Sequence, residues 1–343
     1  MTPPAPSGPG APPPGGCAQT QNHHRAGPLV LTVTPNPSID LLFEAERLVW
    51  DDANRTASPR RRVGGQGINV VRALRALGGE GVSVALLGGP VGAEIEALLQ
   101  AEGHPLIRVE AEGDTRVFVA ARERSTGRSL LLNPRGPDST SRSADALVAA
   151  AEAAIRELQP RWVACGGSIP PGIPADTYAR IGRAARAGGA RFVPDCDGDM
   201  LRLAVAAGCD LLVPNRHEAE RLSGCGIESL ADAAHVAQQL RGQGVDVVCI
   251  TLGEAGAVLA GSGGCWHAAT PAEPHGSAVG AGDAFLAAVL RALDRPEPLA
   301  EVVRQGVAAG TAALRSKGGD LVDREEFERQ LGRTDVRKWE GER

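Results

Sequence analysis

Short runs of aliphatic and β-branched residues alternate with longer helical patterns along most of this sequence, and that alternation leaves few architectures open. Leu29–Val33, Val82–Leu87, Trp162–Cys165, Arg191–Pro194, Asp210–Val213 and Val247–Leu252 read as strands. Amphipathic stretches lie between most of them. Ile68–Leu77 places Val70, Ala73, Leu74 and Leu77 on one face and stops at Gly78-Gly79; Ala144–Leu158, Ala175–Ala187 and Leu230–Leu240 behave alike. Repeated strand–helix–strand units predict an α/β fold, a mostly parallel doubly wound sheet with helices on both faces. Aromatic residues are only 3% of the chain, so the core must be aliphatic, as buried parallel strands require.

Two stretches, about 38–63 and 105–133, break the alternation and contain no crossover helix. Leu106–Val109, Arg116–Arg122 and Ser129–Leu132 read as strands, with turns at Glu112-Gly113-Asp114 and Ser125-Thr126-Gly127. We expect these stretches to pair as a small antiparallel β lid outside the main layer. Ligands of open α/β sheets bind at the strand carboxyl ends, where such a lid could close over them.

The whole chain of 343 residues allows one large domain or two modest ones. Residues 1–27 are rich in Pro, Gly, Ala and Ser without apolar periodicity, the composition of a disordered tail. The expected organisation is this tail, a folded unit over 28–333 and a polar C-terminal tail over 334–343. No stretch has the apolar core of a signal peptide or the roughly 18–20 apolar residues of a membrane span, which predicts a soluble, cytoplasmic protein. The net charge of −5 argues against general binding to nucleic acid or an anionic membrane, and the scarcity of aromatics argues against a base-stacking surface. Seven scattered cysteines without metal-ligand spacing read as small apolar residues of a reducing compartment. Lys317 and Lys338 are the sole lysines, so nearly every cation is an arginine, the side chain suited to bidentate contact with phosphate.

Gly276-Ser277-Ala278-Val279-Gly280-Ala281-Gly282-Asp283 runs into the apolar segment Leu286–Leu293, a glycine-rich turn becoming a buried helix. The first N–H groups of a helix lack partners within it and can bind phosphate oxygens with help from the helix dipole. Asp283 stands at that opening, either as a plain N-cap or as a carboxylate able to take a proton from an attacking hydroxyl. A second glycine-rich loop, Val63-Gly64-Gly65-Gln66-Gly67-Ile68-Asn69, also enters a helix. It is a poor dinucleotide fingerprint, because the third glycine is missing and Arg60-Arg61-Arg62-Val63 is no buried first strand. Close approach to a polyhydroxy ligand, with Asn69 as donor and acceptor, explains it better. Thr34–Asp40 follows the first strand and offers Asp40 as an acceptor for hydroxyls, or as a turn residue. Gly166–Gly172, Pro214–Glu218 and Thr251–Gly256 follow three further strands. The phosphate-loop, zinc-protease, serine-hydrolase and protein-kinase signatures are absent, and the histidines have no ligand spacing.

In this order, Gly64–Asn69 and Gly280–Asp283 resemble the two signatures of the PfkB branch of the ribokinase superfamily of carbohydrate kinases, over about residues 29–333. Thr34–Asp40 and Ile68-Asn69-Val70 look like its sugar-phosphate subgroup, which includes 1-phosphofructokinase, the minor 6-phosphofructokinase and tagatose-6-phosphate kinase. The resemblance implies a ribokinase-like three-layer αβα sandwich. It implies Asp283 as catalytic base, with the N–H groups of Gly280, Ala281 and Gly282 as an anion hole. Asp40, Gly64, Gly65 and Asn69 would hold the sugar, and Arg116 and Ser168 its existing phosphate, with Arg128 and Arg135 as further candidates. Asn215 and Glu218 match an Asn-x-x-Glu motif that organises Mg2+ through water, and Thr251, Gly253 and Gly256 would line the ATP side. Gln66 stands where many relatives have lysine, and Ala278 and Ala284 replace commoner hydroxyl residues. The expected activity is ATP- and Mg2+-dependent phosphorylation of a ketohexose monophosphate, fructose 1-phosphate foremost. The alternatives are fructose 6-phosphate or tagatose 6-phosphate, then a free sugar, and last a non-catalytic sugar-phosphate sensor. Exposed lid edges make a homodimer the expected assembly.

Overall fold

The computed structural model describes residues 30–271, 280–315 and 321–340. The predicted tail 1–27, Leu29, Gly276–Val279 and Lys317 lie outside them. The chain begins β1 (Val30–Thr34), β2 (Ser38–Ala45), β3 (Arg60–Gly64), α1 (Gln66–Ala76), β4 (Gly81–Leu87), α2 (Gly89–Ala101), β5 (Leu106–Glu110), β6 (Arg116–Glu123) and β7 (Ser129–Leu132). It continues through α3 (Ser141–Leu158), β8 (Trp162–Gly166), α4 (Thr177–Ala187), β9 (Arg191–Asp195), α5 (Gly198–Ala206), β10 (Leu211–Leu212), α6 (Arg216–Ser223) and α7 (Leu230–Arg241). Then come β11 (Val247–Thr251), a 3-10 turn (Gly253–Ala255), β12 (Ala257–Gly261), β13 (Gly264–Ala269), α8 (Ala281–Leu293), α9 (Leu299–Arg315), α10 (Arg324–Leu331) and β14 (Asp335–Trp339).

Five parallel strands in the order β5-β4-β1-β8-β9 form one half of the main layer. The other half runs β10-β11-β12-β13-β14, parallel at its first pair and antiparallel beyond. Asp210 stitches the halves together. Its backbone N–H donates to the Phe192 carbonyl at 2.9 Å, and its carboxylate accepts the Phe192 N–H at 2.8 Å. Leu31, Val33 and Val163 pack one face of the layer against Leu147, Ile155 and Ile181 of α3 and α4. Val30, Trp162 and Val193 pack the opposite face against Leu74, Leu286 and Val303 of α1, α8 and α9. Helices cover both faces of the layer, as the alternating pattern implied, which makes the three-layer αβα sandwich that the resemblance implied. Leucines such as Leu74 are fully buried, a burial worth about 1.5–3 kcal/mol per side chain.

The small separate sheet is present in the order β3-β2-β6-β7. Its outer pairs are antiparallel, whereas β2 and β6 run parallel at its centre. Two assignments are corrected. Leu106–Val109 lies in β5, at the edge of the main sheet beside β4, not in the lid. An edge strand is covered on one side only, so its alternating Arg108 and Glu110 imitate a half-buried lid strand. Residues 334–343 are no free polar tail, because Asp335–Trp339 pairs with β13 as β14. Its charged residues point outward from a sheet edge, where charge discourages further pairing.

Beneath α1, a line of polar groups crosses the core. Thr32 Oγ1 and Ser83 Oγ lie 3.0 Å apart, and Ser83 Oγ meets His104 Nε2 at 2.9 Å. Burial, reinforced by the charges of Arg72 and Arg75, pushes the His104 imidazole down to about 4. The unfolded chain then takes up a proton between about pH 6.5 and 4 that the native state refuses, so stability falls as pH falls through that window. Urea unfolding should show the parent losing about 2 kcal/mol more than His104→Gln between pH 7.5 and 5. Equal losses would mean that His104 protonates without resistance. No helix among the described residues is long and apolar enough to cross a membrane.

Candidate active site

Two helix N-termini meet at the carboxyl end of the main sheet. The first belongs to α1, whose N-cap Gly65 has φ 132°, a conformation that side chains disfavour. Neighbouring glycines bring this turn close to the sheet and lid. A Cβ on Gly67 would come within 2.5 Å of Thr34 Oγ1, and one on Gly64 within 2.4 Å of Asp40 Oδ1. The second terminus belongs to α8. Gly280 caps it at φ 88°, and its carbonyl accepts the Ala284 N–H at 3.0 Å. The N–H groups of Ala281, Gly282 and Asp283 therefore precede the first bond of the helix and point out of its end.

Asn69 Nδ2 donates to Asp283 Oδ2 at 2.8 Å, joining the two glycine motifs across 214 residues of sequence. Asp283 is only 6% exposed. Burial raises its carboxyl to about 6, against the opposing effects of the Asn69 hydrogen bond and the positive charge of Arg62. It stays mostly ionised at neutral pH, yet is basic enough to accept a proton. Asp40 is equally buried and accepts a hydrogen bond from Ser38 Oγ at 2.6 Å. Burial raises it too, opposed by Ser38 and by the charges of Arg62, Arg116 and Arg72. The charge of Arg62 thus acts on both carboxylates. Nothing in the local pattern of Arg60–Val63 singles Arg62 out from its neighbours.

Arg116 lies at the start of β6, in register with Ser38. Its guanidinium donates to the Asn36 carbonyl at 2.9 and 3.3 Å and to the Pro134 carbonyl at 3.1 Å, with a further short bond to Asn133 Oδ1. It therefore fastens the 133–136 segment to the loop after β1. Asn36 completes the clasp, its Nδ2 donating to the Arg135 carbonyl at 2.9 Å and to Ser168 Oγ at 3.0 Å. Its Oδ1 is buried and has no hydrogen-bond partner among the described residues. Asn36 is a second residue that the sequence reading passed over within Thr34–Asp40. Arg135 and Ser168 belong to this cluster. Arg128 does not, because it follows the far end of β6, about 24 Å along the strand from Arg116.

Beyond α8 opens a cavity of about 350 Å³. Thr251, Gly253 and Gly256 line it together with Ala281 and Gly282. Phe285, Val307 and Leu314 add an apolar wall from α8 and α9 that the motif reading did not include. A parallel bridge between Asn215 and Thr251 brings the Asn-x-x-Glu segment to its rim. There Asn215 Oδ1 accepts the Glu218 N–H at 3.0 Å, and Glu218 accepts the Asn215 N–H at 2.9 Å. This capping box opens α6, so the spacing has a structural cause besides any role toward a metal.

Asp195 closes β9 and went unnoticed, although it obeys the strand-end rule that picked out the other segments. Burial raises its carboxyl well above the usual range, and the charges of Asp283 and Glu218 raise it further. Burial and the charge of Asp197 raise Glu218 as well, against its Asn215 bonds and Arg221. Carboxyls raised by burial and by one another suit a hard cation, which would offset their charge. Among the described residues no group of three or more His, Cys, Asp or Glu side chains could hold a metal ion.

The model of the pfkB family carbohydrate kinases matches residues 34–325. The chain is 34% identical over 299 residues to the 1-phosphofructokinase of Rhodobacter capsulatus, covering 85% of this chain and 92% of that one. It is 30% identical over 308 residues to the ATP-dependent 6-phosphofructokinase isozyme 2 of Mycobacterium tuberculosis, covering 88% of each. The crystal structure of phosphofructokinase-2 from Escherichia coli in complex with potassium superposes with a TM-score of 0.82 at 28% identity, covering 89% of this chain and 98% of that one.

Proposed function

The chain belongs to the pfkB family of carbohydrate kinases, and we propose that its site transfers a phosphoryl group from ATP to fructose 1-phosphate, giving fructose 1,6-bisphosphate and ADP. The observation that carries this reading is the buried Asn69–Asp283 contact, which sets a general base beside N–H groups that have no partner within their own helix. Asp283 takes the proton of the substrate hydroxyl as its oxygen bonds to the γ-phosphorus. The bond to the bridging oxygen breaks, and its electron pair leaves with ADP. The N–H groups at the start of α8 hold the oxygens of the phosphoryl in transit, where preorganised donors have their largest effect. Asp40 and Asn69 hold sugar hydroxyls, with Gly64 and Gly65 leaving room for the ring. Arg116, Ser168 and Asn36 take the phosphate already on the sugar, while the cavity walled by Phe285 and Val307 takes the purine. Mg2+ bound with ATP would offset phosphate charge, held through water by Glu218 and Asp195.

The greater identity to a 1-phosphofructokinase than to a 6-phosphofructokinase favours fructose 1-phosphate. The test is ADP release from Mg-ATP with fructose 1-phosphate, fructose 6-phosphate, tagatose 6-phosphate and free fructose compared side by side. We expect kcat/KM for fructose 1-phosphate to exceed that for free fructose at least about 100-fold, and Arg116→Ala to remove most of the difference, about 2–3 kcal/mol. Equal turnover of the ester and the free sugar would refute the phosphate subsite. We assign a homodimer to the lid. Edge strand β7 exposes Leu130, Leu131 and Leu132, an uncovered apolar edge that a second copy of the chain would shield.

A further inference from the structure

The lid presents two arginines beside Asp40, and they differ in what holds them. Arg116 is committed to the Asn36 and Pro134 carbonyls and to Asn133. Arg62 lies on β3 directly opposite Asp40 of β2, and residues so paired share one face of a sheet. Two residues further along that face, Gly64 sits against the Asp40 carboxylate. From there the chain passes into α1, whose Asn69 holds Asp283. Strand register and helix contact thus set Arg62 on the face shared by Asp40 and the α1 turn. The Arg62 guanidinium is half-buried, yet among the described residues it has no side-chain hydrogen bond and no ion pair within 4 Å. A desolvated guanidinium without a partner is costly, and an anionic ligand offsets that cost. Its charge acts on both Asp40 and Asp283, whereas the charge of Arg116 acts on Asp40 but not on Asp283. Of the two, Arg62 is the one whose charge is felt at the reacting end.

We infer that Arg62 contacts the phosphoryl group in transit and neutralises charge on its oxygens while Asp283 removes the hydroxyl proton. This rests on the kinase reaction proposed above. The role divides the lid arginines: Arg116 selects the ester already on the sugar, and Arg62 serves the transfer. A planar guanidinium suits the task because two of its N–H groups can meet two phosphoryl oxygens at once.

The test compares parent, Arg62→Gln and Arg62→Lys with Mg-ATP and fructose 1-phosphate. Arg62→Gln should lower kcat about 100-fold with the KM for the sugar phosphate within about threefold of the parent value. Arg62→Lys should recover part of kcat, since it restores charge but not the fork. The acid limb of the kcat profile should move to higher pH in Arg62→Gln. Burial sets that limb by raising Asp283, while Asn69 of α1 and Arg62 of β3 favour its ionised form; Asp195 of β9 is the other acid nearby, held protonated by its own burial and by the charge of Asp283. A urea midpoint at or above the parent's would separate the kinetic loss from misfolding. A raised KM with kcat retained would make Arg62 a second ester selector and overturn the inference, as would unchanged kinetics. If the parent itself releases no ADP with any sugar phosphate, the kinase reading fails instead.

Discussion

Asp283→Asn should cost at least about 100-fold in kcat and should stabilise the protein. Both effects follow from one burial. The parent carboxyl, raised to about 6, must be ionised to accept the hydroxyl proton. Its kcat should therefore fall on acidification with an apparent pKa near 6. The same shift acts on stability with a definite sign. The native state binds a proton more tightly than the unfolded chain, so the favourable contribution is complete below about pH 4 and is lost as pH rises through 6. Above that pH, the fold carries a desolvated carboxylate at a cost of about 3 kcal/mol. A neutral carboxamide at 283 avoids the cost and can still accept the Asn69 N–H. Urea unfolding at pH 8 should then show Asp283→Asn more stable than the parent by up to about 3 kcal/mol, with the gain fading toward pH 4. A variant with normal kcat would remove Asp283 as base. One with no gain in stability would mean that the carboxylate is better solvated than its surroundings suggest.

How far the sequence discloses this site depends on the physics of each element. Buried parallel strands such as Val30–Thr34 and Trp162–Gly166 are covered on both faces, so they read as unbroken apolar runs. The glycine turns at Gly64–Gly67 and Gly280–Gly282 are legible because small residues announce close approach. The Asn69–Asp283 contact is not, since no local pattern connects residues 214 apart. Arg62 stayed hidden for another reason. It lies in a run of three arginines, and periodicity does not say which one turns inward. The structure answers through neighbours: Arg61 pairs with Glu94 of α2 at 2.8 Å, while Arg62 lies opposite Asp40. Edge strands were the weakest point, because β5 and β14 bury only part of their surface and keep charged residues that resemble a lid or a tail.

Within the second motif, the structure separates glycines that the fold needs from one that the ligand needs. Gly280 is held at φ 88°, and a Cβ there would come within 2.4 Å of Leu321. Gly280→Ala should therefore lose about 1–3 kcal/mol of stability through backbone strain. Gly282 shows no such constraint among the described residues, for a Cβ on it would meet no atom within 4 Å beyond its own helix. Alanine is the better helix former, so packing and propensity together would favour it at this position in the first turn of α8. That position nevertheless borders the cavity at the helix end, in the space that a phosphoryl group must enter to reach the N–H groups. Gly282→Ala should accordingly keep or slightly raise the urea midpoint, while kcat/KM for ATP drops about 100-fold because the methyl group displaces the anion from its donors. A variant that is fully active at parental stability would show that no phosphate oxygen approaches this turn, and with it the anion hole would have to be placed elsewhere.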